Sequence, residues 1–260
     1  MKRLAVAIMF LTRIPVPGRW EPGAEDVGRS MLFFPLVGAA LGGMQWLFLQ
    51  GATHLADAIR EHTHYHLALP ASLLSVFIVA IGAGLTGALH LDGLADMADG
   101  FGGGHTRQDV LRIMRDHSIG SYGAIALILI LALKLASVSL LIKRGAAWPT
   151  LIIAPAVARS TSVALGFLLP YARASEEGSG LGAARAGWLE VIVSLLTAIV
   201  IAFGLGGWLG GAGLLIAILV SSASAAICMR RIQGVTGDTL GANIEISESL
   251  ILASSCILVL

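Results

Sequence analysis

Along the chain, long apolar runs are separated by short polar stretches. The runs approach the roughly 20 residues that an α-helix needs to cross the hydrocarbon core of a bilayer, and they exceed the ~10-residue alternating strands of a membrane barrel. Lipid offers no partner for a free backbone amide, so a spanning segment must be a helix or part of a closed barrel. The pattern predicts helical spans near 31–50, 67–89, 120–142, 147–169, 190–207, 212–228 and 249–260. Gly206, Gly207, Gly210 and Gly211 leave open whether the fifth and sixth are separate spans or one broken unit. The expected fold class is all-α, a polytopic integral membrane bundle of about seven transmembrane helices. It forms a single membrane-embedded domain over residues 1–260.

The N-terminal apolar stretch, Leu4 to Leu11, is too short to span. Arg13, Pro15 and Pro17 follow it where a small-residue cleavage site would stand in a signal peptide, so a retained helix at the membrane surface is expected. Composition agrees with the bilayer as solvent: 56% of the 260 residues are hydrophobic and 13% charged. Soluble domains carry about 25% charged residues. The net charge of +1 gives no pull toward nucleic acid. Cys228 and Cys256 sit in apolar runs without metal-type spacing. His54, His62, His64 and His66 read as a solvated outer loop, and the intramembrane glycines read as packing residues.

Placing the N-terminus in the cytoplasm puts Lys2, Arg3, Arg13, Arg19, Arg29, Arg107, Arg112, Arg115, Arg173, Arg185, Arg230 and Arg231 on that side. Only Arg60, Lys143 and Arg144 fall opposite. The positive-inside rule therefore favours a cytoplasmic N-terminus.

Two segments on the predicted cytoplasmic side carry most of the polar chemistry. In the first, Asp92, Asp96 and Asp99 are spaced four and then three. On a helix they fall within roughly 60° of one another, where like charges repel. A hard divalent cation such as Mg²⁺ would relieve that repulsion, since carboxylate oxygens are its preferred ligands. Gly93, Gly100 and Gly102 to Gly104 would let backbone approach a phosphate closely. In the second segment Asp238, Glu245 and Glu248, spaced seven and three, again share a helical face. Two acidic faces converging could hold two cations, a common device in phosphoryl transfer. Arg112 and Arg115 share a face after the first motif, and arginine forks suit phosphate. Arg159 lies inside a span, where it should face the bundle interior and meet an anion; Lys134 would snorkel or pair internally.

HisLeuAspGlyLeuAlaAspMetAlaAspGly (90–100), MetArgAspHisSerIleGlySerTyrGly (114–123) and ThrGlyAspThrLeuGlyAlaAsnIleGluIleSerGlu (236–248) resemble the cobalamin synthase family. PheLeuThrArgIlePro (10–15) and PhePheProLeuValGly (33–38) are similar to its pattern too, so the likeness runs the whole length in order. The resemblance implies an adenosylcobinamide-GDP ribazoletransferase. Such an enzyme joins α-ribazole, or its 5′-phosphate, to adenosylcobinamide-GDP with release of GMP. It needs Mg²⁺ and resides in the inner membrane of a prokaryote, its active site facing the cytoplasm. The resemblance also implies metal ligation by Asp92, Asp96 and Asp99. One of Asp99, Asp238, Glu245 or Glu248 would take the hydroxyl proton, with Asp99 favoured by analogy to the related CDP-alcohol phosphotransferases. Arg112, Arg115, Arg159, Gly100 and Gly102 are the candidate substrate contacts. Association into a homo-oligomer is left open. His117-Ser118 stands where the family usually has Ser-Arg, and Gln233-Gly234-Val235 where Gly-Gly-Gln is more usual.

Two other functions share parts of this signature. A CDP-alcohol phosphotransferase acting on lipid would use the same metal logic, but that family carries Gly-x-x-Ala-Arg after its second Asp, and here Gly100 is followed by Phe-Gly-Gly-Gly. A cation transporter would need acids through the depth of the bilayer, whereas these cluster on one side.

Overall fold

The computed structural model describes residues 2–18, 21–62, 69–173 and 184–258. His64, His66 and Arg19 lie outside them. Among the described residues the elements are α1 (Lys2–Leu11), α2 (Ala24–Ser30), a 3₁₀ turn, α3 (Phe34–His62), α4 (Ala71–Thr86), α5 (Leu89–Gly103), α6 (Arg107–Ile113), α7 (Ser121–Lys143), α8 (Ala147–Leu168), α9 (Trp188–Gly206), α10 (Trp208–Ile232) and α11 (Gly237–Leu258).

The all-helical membrane fold expected from the apolar runs is present, with five or six candidate spans among the described residues against the seven expected. Among the described residues five helical stretches are long and apolar enough to cross a membrane: α2 through α3, α7, α8, α9 and α10. A sixth span exists if α4 and α5, bent by 87° at their junction, count as one. The segment expected at 249–260 is the second half of a longer helix, α11. Asp238, Glu245 and Glu248, all within its first twelve residues, make it too polar to stand in lipid alone. Gly207, at φ +51 and ψ −126, separates α9 from α10 into distinct helices, a conformation closed to residues with a Cβ.

α8 is the hub. Its sequence is apolar or small on all sides, and nearly every residue from Thr150 to Val163 is buried. The α3–α8 seam is the most extensive pairing in the molecule. Gly38 and Gly42, four apart, lay a side-chain-free strip against it; a Cβ at 42 would collide with the Leu151 carbonyl, and one at 38 with that of Pro155. The Leu151 carbonyl lacks its usual helical donor, because Pro155 has no N–H. The close backbone of α3 covers it. By contrast α7, α9 and α10 turn apolar stripes outward, such as Ile192, Leu196, Val200 and Phe203 on α9. Stripes of this size need lipid.

α1 is about 15 Å long, too short to cross. It buries Val6, Ala7 and Leu11 against Val27, Met31 and Phe34, with Phe10 stacked on Phe34 at 5.8 Å. The Arg13 amide donates to Leu85 O (2.7 Å), and its side chain lies over Gly87, tying the N-terminal arm to the α4–α5 junction.

Gly42→Val should cost about 2–3 kcal/mol by forcing α3 off α8. A lower unfolding temperature and loss of monodisperse protein in detergent would register it, and unchanged behaviour would contradict this packing.

Candidate functional site

The site begins at the α4–α5 junction. α4 ends with Ala88 N donating to Ala83 O (2.7 Å) and Gly87 N to Gly84 O (3.1 Å), a Schellman-type stop. Gly87 and Ala88 are both left-handed, at φ 62 and 58. Such a conformation costs an L-residue about 1–2 kcal/mol, and the strain at Ala88 sits directly before the aspartate motif. The 87° turn leads α5 away from the axis of α4.

Three of the predicted acids meet in one cleft of about 550 Å³: Asp92 and Asp96 from α5, and Asp238 from the first turn of α11. Gly93 makes this meeting possible, since a Cβ there would stand 2.7 Å from Asp238 O. Its role is helix approach rather than phosphate binding. α11 is started by a reciprocal cap, with Thr239 N donating to Thr236 Oγ1 (3.3 Å) and Thr236 N donating to Thr239 Oγ1 (2.9 Å). That cap is pinned to residues 170–172 by an isolated parallel bridge, through Ala172 N to Val235 O (2.9 Å) and Val235 N to Pro170 O (2.8 Å).

The same bridge delivers Arg173, which sequence reasoning counted only as a charge. Its Nη2 is 3.5 Å from Asp238 Oδ2, and its buried Nε has no hydrogen-bond partner among the described residues. Arg115 lines the cleft as well, with His117 and Ser118, so two guanidiniums face the acids. Burial, together with the charges of Asp92, Asp238 and Asp99, pushes the Asp96 carboxyl up to about 6. Asp116 is held below its ordinary range by the Ser118 amide (3.0 Å).

The other predicted residues lie elsewhere. Asp99 is turned from the cleft toward α7, where its oxygens accept from Gly120 N and Gly123 N, both at 2.8 Å. A carboxylate on the first turn of a helix is stabilised by the exposed amides and the helix dipole. Gly100 meets Met114 and the Val110 carbonyl, and Gly102 meets the Tyr122 ring, so both are helix-packing positions. Arg112 is exposed, 3.9 Å from Asp109. Arg107 donates to the carbonyls of Ile232 and Ala172, and Arg231 to those of Phe101 and Gly104; these arginines suture helix ends.

Glu245 and Glu248 do not join Asp238. Seven residues of helix, about 10 Å of rise, separate Glu245 from it. They sit in the bundle interior with Lys134 of α7 and Arg159 of α8. Lys134 Nζ is 2.6 Å from Glu245 and 2.9 Å from Glu248; Arg159 Nη1 is 3.2 Å from Glu248. Arg159 therefore meets the anion its place in a span demanded, and Lys134 pairs internally. The four charges sum to zero, so this cluster needs no cation.

Among the described residues, no three acidic, histidine or cysteine side chains are already drawn up around a metal position. The donor chemistry at Asp92, Asp96 and Asp238 is nonetheless all carboxylate oxygen, the set hard divalent cations take.

The sequence model of the cobalamin-5-phosphate synthase family matches residues 3–256. The chain belongs to that family. Relatives named adenosylcobinamide-GDP ribazoletransferase include one from Chlorobium phaeobacteroides, 38% identical over 100% of this chain and 99% of its own. Another, from Geotalea daltonii, is 37% identical over 95% and 94%, and one from Pseudomonas putida is 35% identical over 94% and 93%. No solved structure matches the chain.

Two outcomes test this electrostatic layout. Burial and the neighbouring acids push the Asp96 carboxyl up from its ordinary range to about 6, so its ionised form costs stability above that pH and the cost fades as pH falls. Without divalent cations, Asp96→Asn should melt a few degrees above wild type at pH 8, the gap narrowing from pH 6 toward pH 4. A pH-independent gap would contradict the electrostatic cause. Lys134→Met leaves Glu245 without its ion-pair partner, while Glu248 keeps Arg159, and should cost about 3 kcal/mol or more. Thermal unfolding should show the loss, and adding Glu245→Gln should recover part of it.

Proposed function

We propose that the protein is a Mg²⁺-dependent transferase of cobalamin biosynthesis. It would join α-ribazole, or its 5′-phosphate, to adenosylcobinamide-GDP and release GMP. The observation that carries this is the cleft in which Asp92, Asp96 and Asp238 face Arg115 and Arg173. It offers carboxylates for a cation and guanidiniums for a diphosphate within one space, the usual equipment for phosphoryl-type transfer. Family membership supplies the substrates, through the names its relatives carry.

Asp92, Asp96 and Asp238 would hold Mg²⁺, which when bound neutralises charge on the diphosphate and the departing GMP. Arg115 and Arg173 bind and orient the diphosphate oxygens, so that the phosphorus joined to cobinamide faces the acceptor. The acceptor's ribose hydroxyl attacks that phosphorus, the bond to GMP breaks, and the hydroxyl proton passes to a carboxylate. Asp92 and Asp238 are the carboxylates placed to receive it, since both border this cleft and the cavity behind it. Asp99 positions α5 against α7. The surplus of Lys and Arg on the N-terminal side supports a cleft facing the cytoplasm from the inner membrane.

The lipid phosphotransferase and the cation transporter draw no support from the matched family. The buried acids in the bundle are also already neutralised by Lys134 and Arg159, which leaves no open carboxylate path there.

The test is GMP release from adenosylcobinamide-GDP and α-ribazole by protein in nanodiscs, with and without Mg²⁺. Asp92→Asn and Arg173→Met should each lower the rate by about two orders of magnitude or more while leaving the protein folded. Mg²⁺-independent release, or none from folded wild type, would refute the proposal.

A further inference from the structure

A second, largely apolar cavity of about 160 Å³ adjoins the acidic cleft, and Asp92 and Asp238 line both. It lies between α1, the start of α3, α8 and the first turns of α11. Phe10, Phe34, Val163 and Ile244 form much of its wall. Among the described residues no lysine or arginine lines it. His90 also borders it, and its buried Nε2 has no hydrogen-bond partner among the described residues.

We infer that this cavity seats the flat, uncharged aromatic base of the nucleoside acceptor, with the ribose at Asp92 and Asp238; the inference rests on the transferase function proposed above. Small-molecule sites are concave, mostly apolar and carry a few orienting polar groups. The charge pattern selects the occupant. The two carboxylates repel a phosphate, so the donor's diphosphate belongs on the Arg115 and Arg173 side. The volume admits a bicyclic base and excludes a corrin macrocycle. A phospholipid tail would bring its phosphate against Asp92 and Asp238. An aromatic nucleoside satisfies both ends: its ring fills the apolar wall, and its hydroxyls meet the acids. This places the acceptor hydroxyl at the boundary between cavity and cleft, where attack on the phosphorus is required. His90, buried at the wall with its Nε2 unpartnered among the described residues, is a polar group available beside the base.

The test is binding of α-ribazole to the full protein in nanodiscs by equilibrium dialysis without Mg²⁺, beside two variants that fill the cavity from different walls. A Cβ on Gly166 would stand 3.5 Å from Leu240 Cδ1, an ordinary contact, so Gly166→Leu extends into the space without moving backbone. Ala184→Phe enters from the segment before α9. Each should raise the Kd for α-ribazole tenfold or more, about 1.4 kcal/mol. The acceptor KM should rise in parallel, while the KM for adenosylcobinamide-GDP stays within twofold. On wild type alone, the analogue with a bare imidazole base should bind at least tenfold more weakly than α-ribazole. Equal binding by folded variants and wild type, or equal binding of the two nucleosides, would overturn the inference. So would loss of co-purified phospholipid from the variants with nucleoside binding intact, which would make the cavity a lipid seat. The two ideas fail separately. GMP release with binding unchanged in the variants sinks the cavity assignment alone. Nucleoside binding lost on filling, in a protein that releases no GMP, sinks the transferase proposal alone.

Discussion

Two glutamates, a lysine and an arginine are buried together in a bundle whose outer surface is built for lipid. Any one of them unpaired at that depth would cost several kcal/mol. Their mutual compensation is available in one arrangement, with α7, α8 and α11 brought together at Lys134, Arg159, Glu245 and Glu248. The rest follows from that junction. The N-terminus of α7 presents its amides to Asp99 and so aligns α5. The chain leaving α8 carries Arg173, and the first turn of α11 carries Asp238 to meet it. The charge cluster does no chemistry in this scheme; it holds the helices that do.

Backbone proximity sets the distances within this frame. Gly38 and Gly42 seat α3 on the proline-interrupted stretch of α8, and Gly93 lets the α11 backbone reach α5. In lipid there is little hydrophobic force between helices, so close approach at small residues supplies much of the packing energy. The glycines that invited a phosphate-cradle interpretation serve mainly this purpose. What remains for a phosphate is the pair of arginines across from the acids.

The cleft and its neighbouring cavity divide the chemistry by polarity. One side is lined by Asp92, Asp96, Asp238, Arg115 and Arg173, and the other by aromatic and aliphatic side chains. The boundary is formed by two carboxylates. A transferase that unites a charged nucleotide donor with a less polar acceptor needs such a boundary at the point of bond formation. Both spaces adjoin α5, which packs on α11 and α7.

The helical membrane class, the aspartate motif, the family and the inward-facing Arg159 were all legible along the chain, because hydropathy, helical periodicity and the penalty for a charge in lipid act locally. Spacing along a helix says which residues share a face; it does not say which face another helix will meet. Asp238, Glu245 and Glu248 therefore read as one set, and the fold divides them, because Gly93 admits only the first turn of α11 beside Asp92 while Lys134 and Arg159 claim the later turns. Asp99 read as a third metal ligand, yet its position near the end of α5 brings it under the free amides of α7. Arg173 carried no local signal, since a two-residue bridge between distant segments puts it in the cleft. The residue types and their periodicity determined what this protein is made to hold; long-range helix contacts, which no local pattern encodes, decided which of those residues stand together.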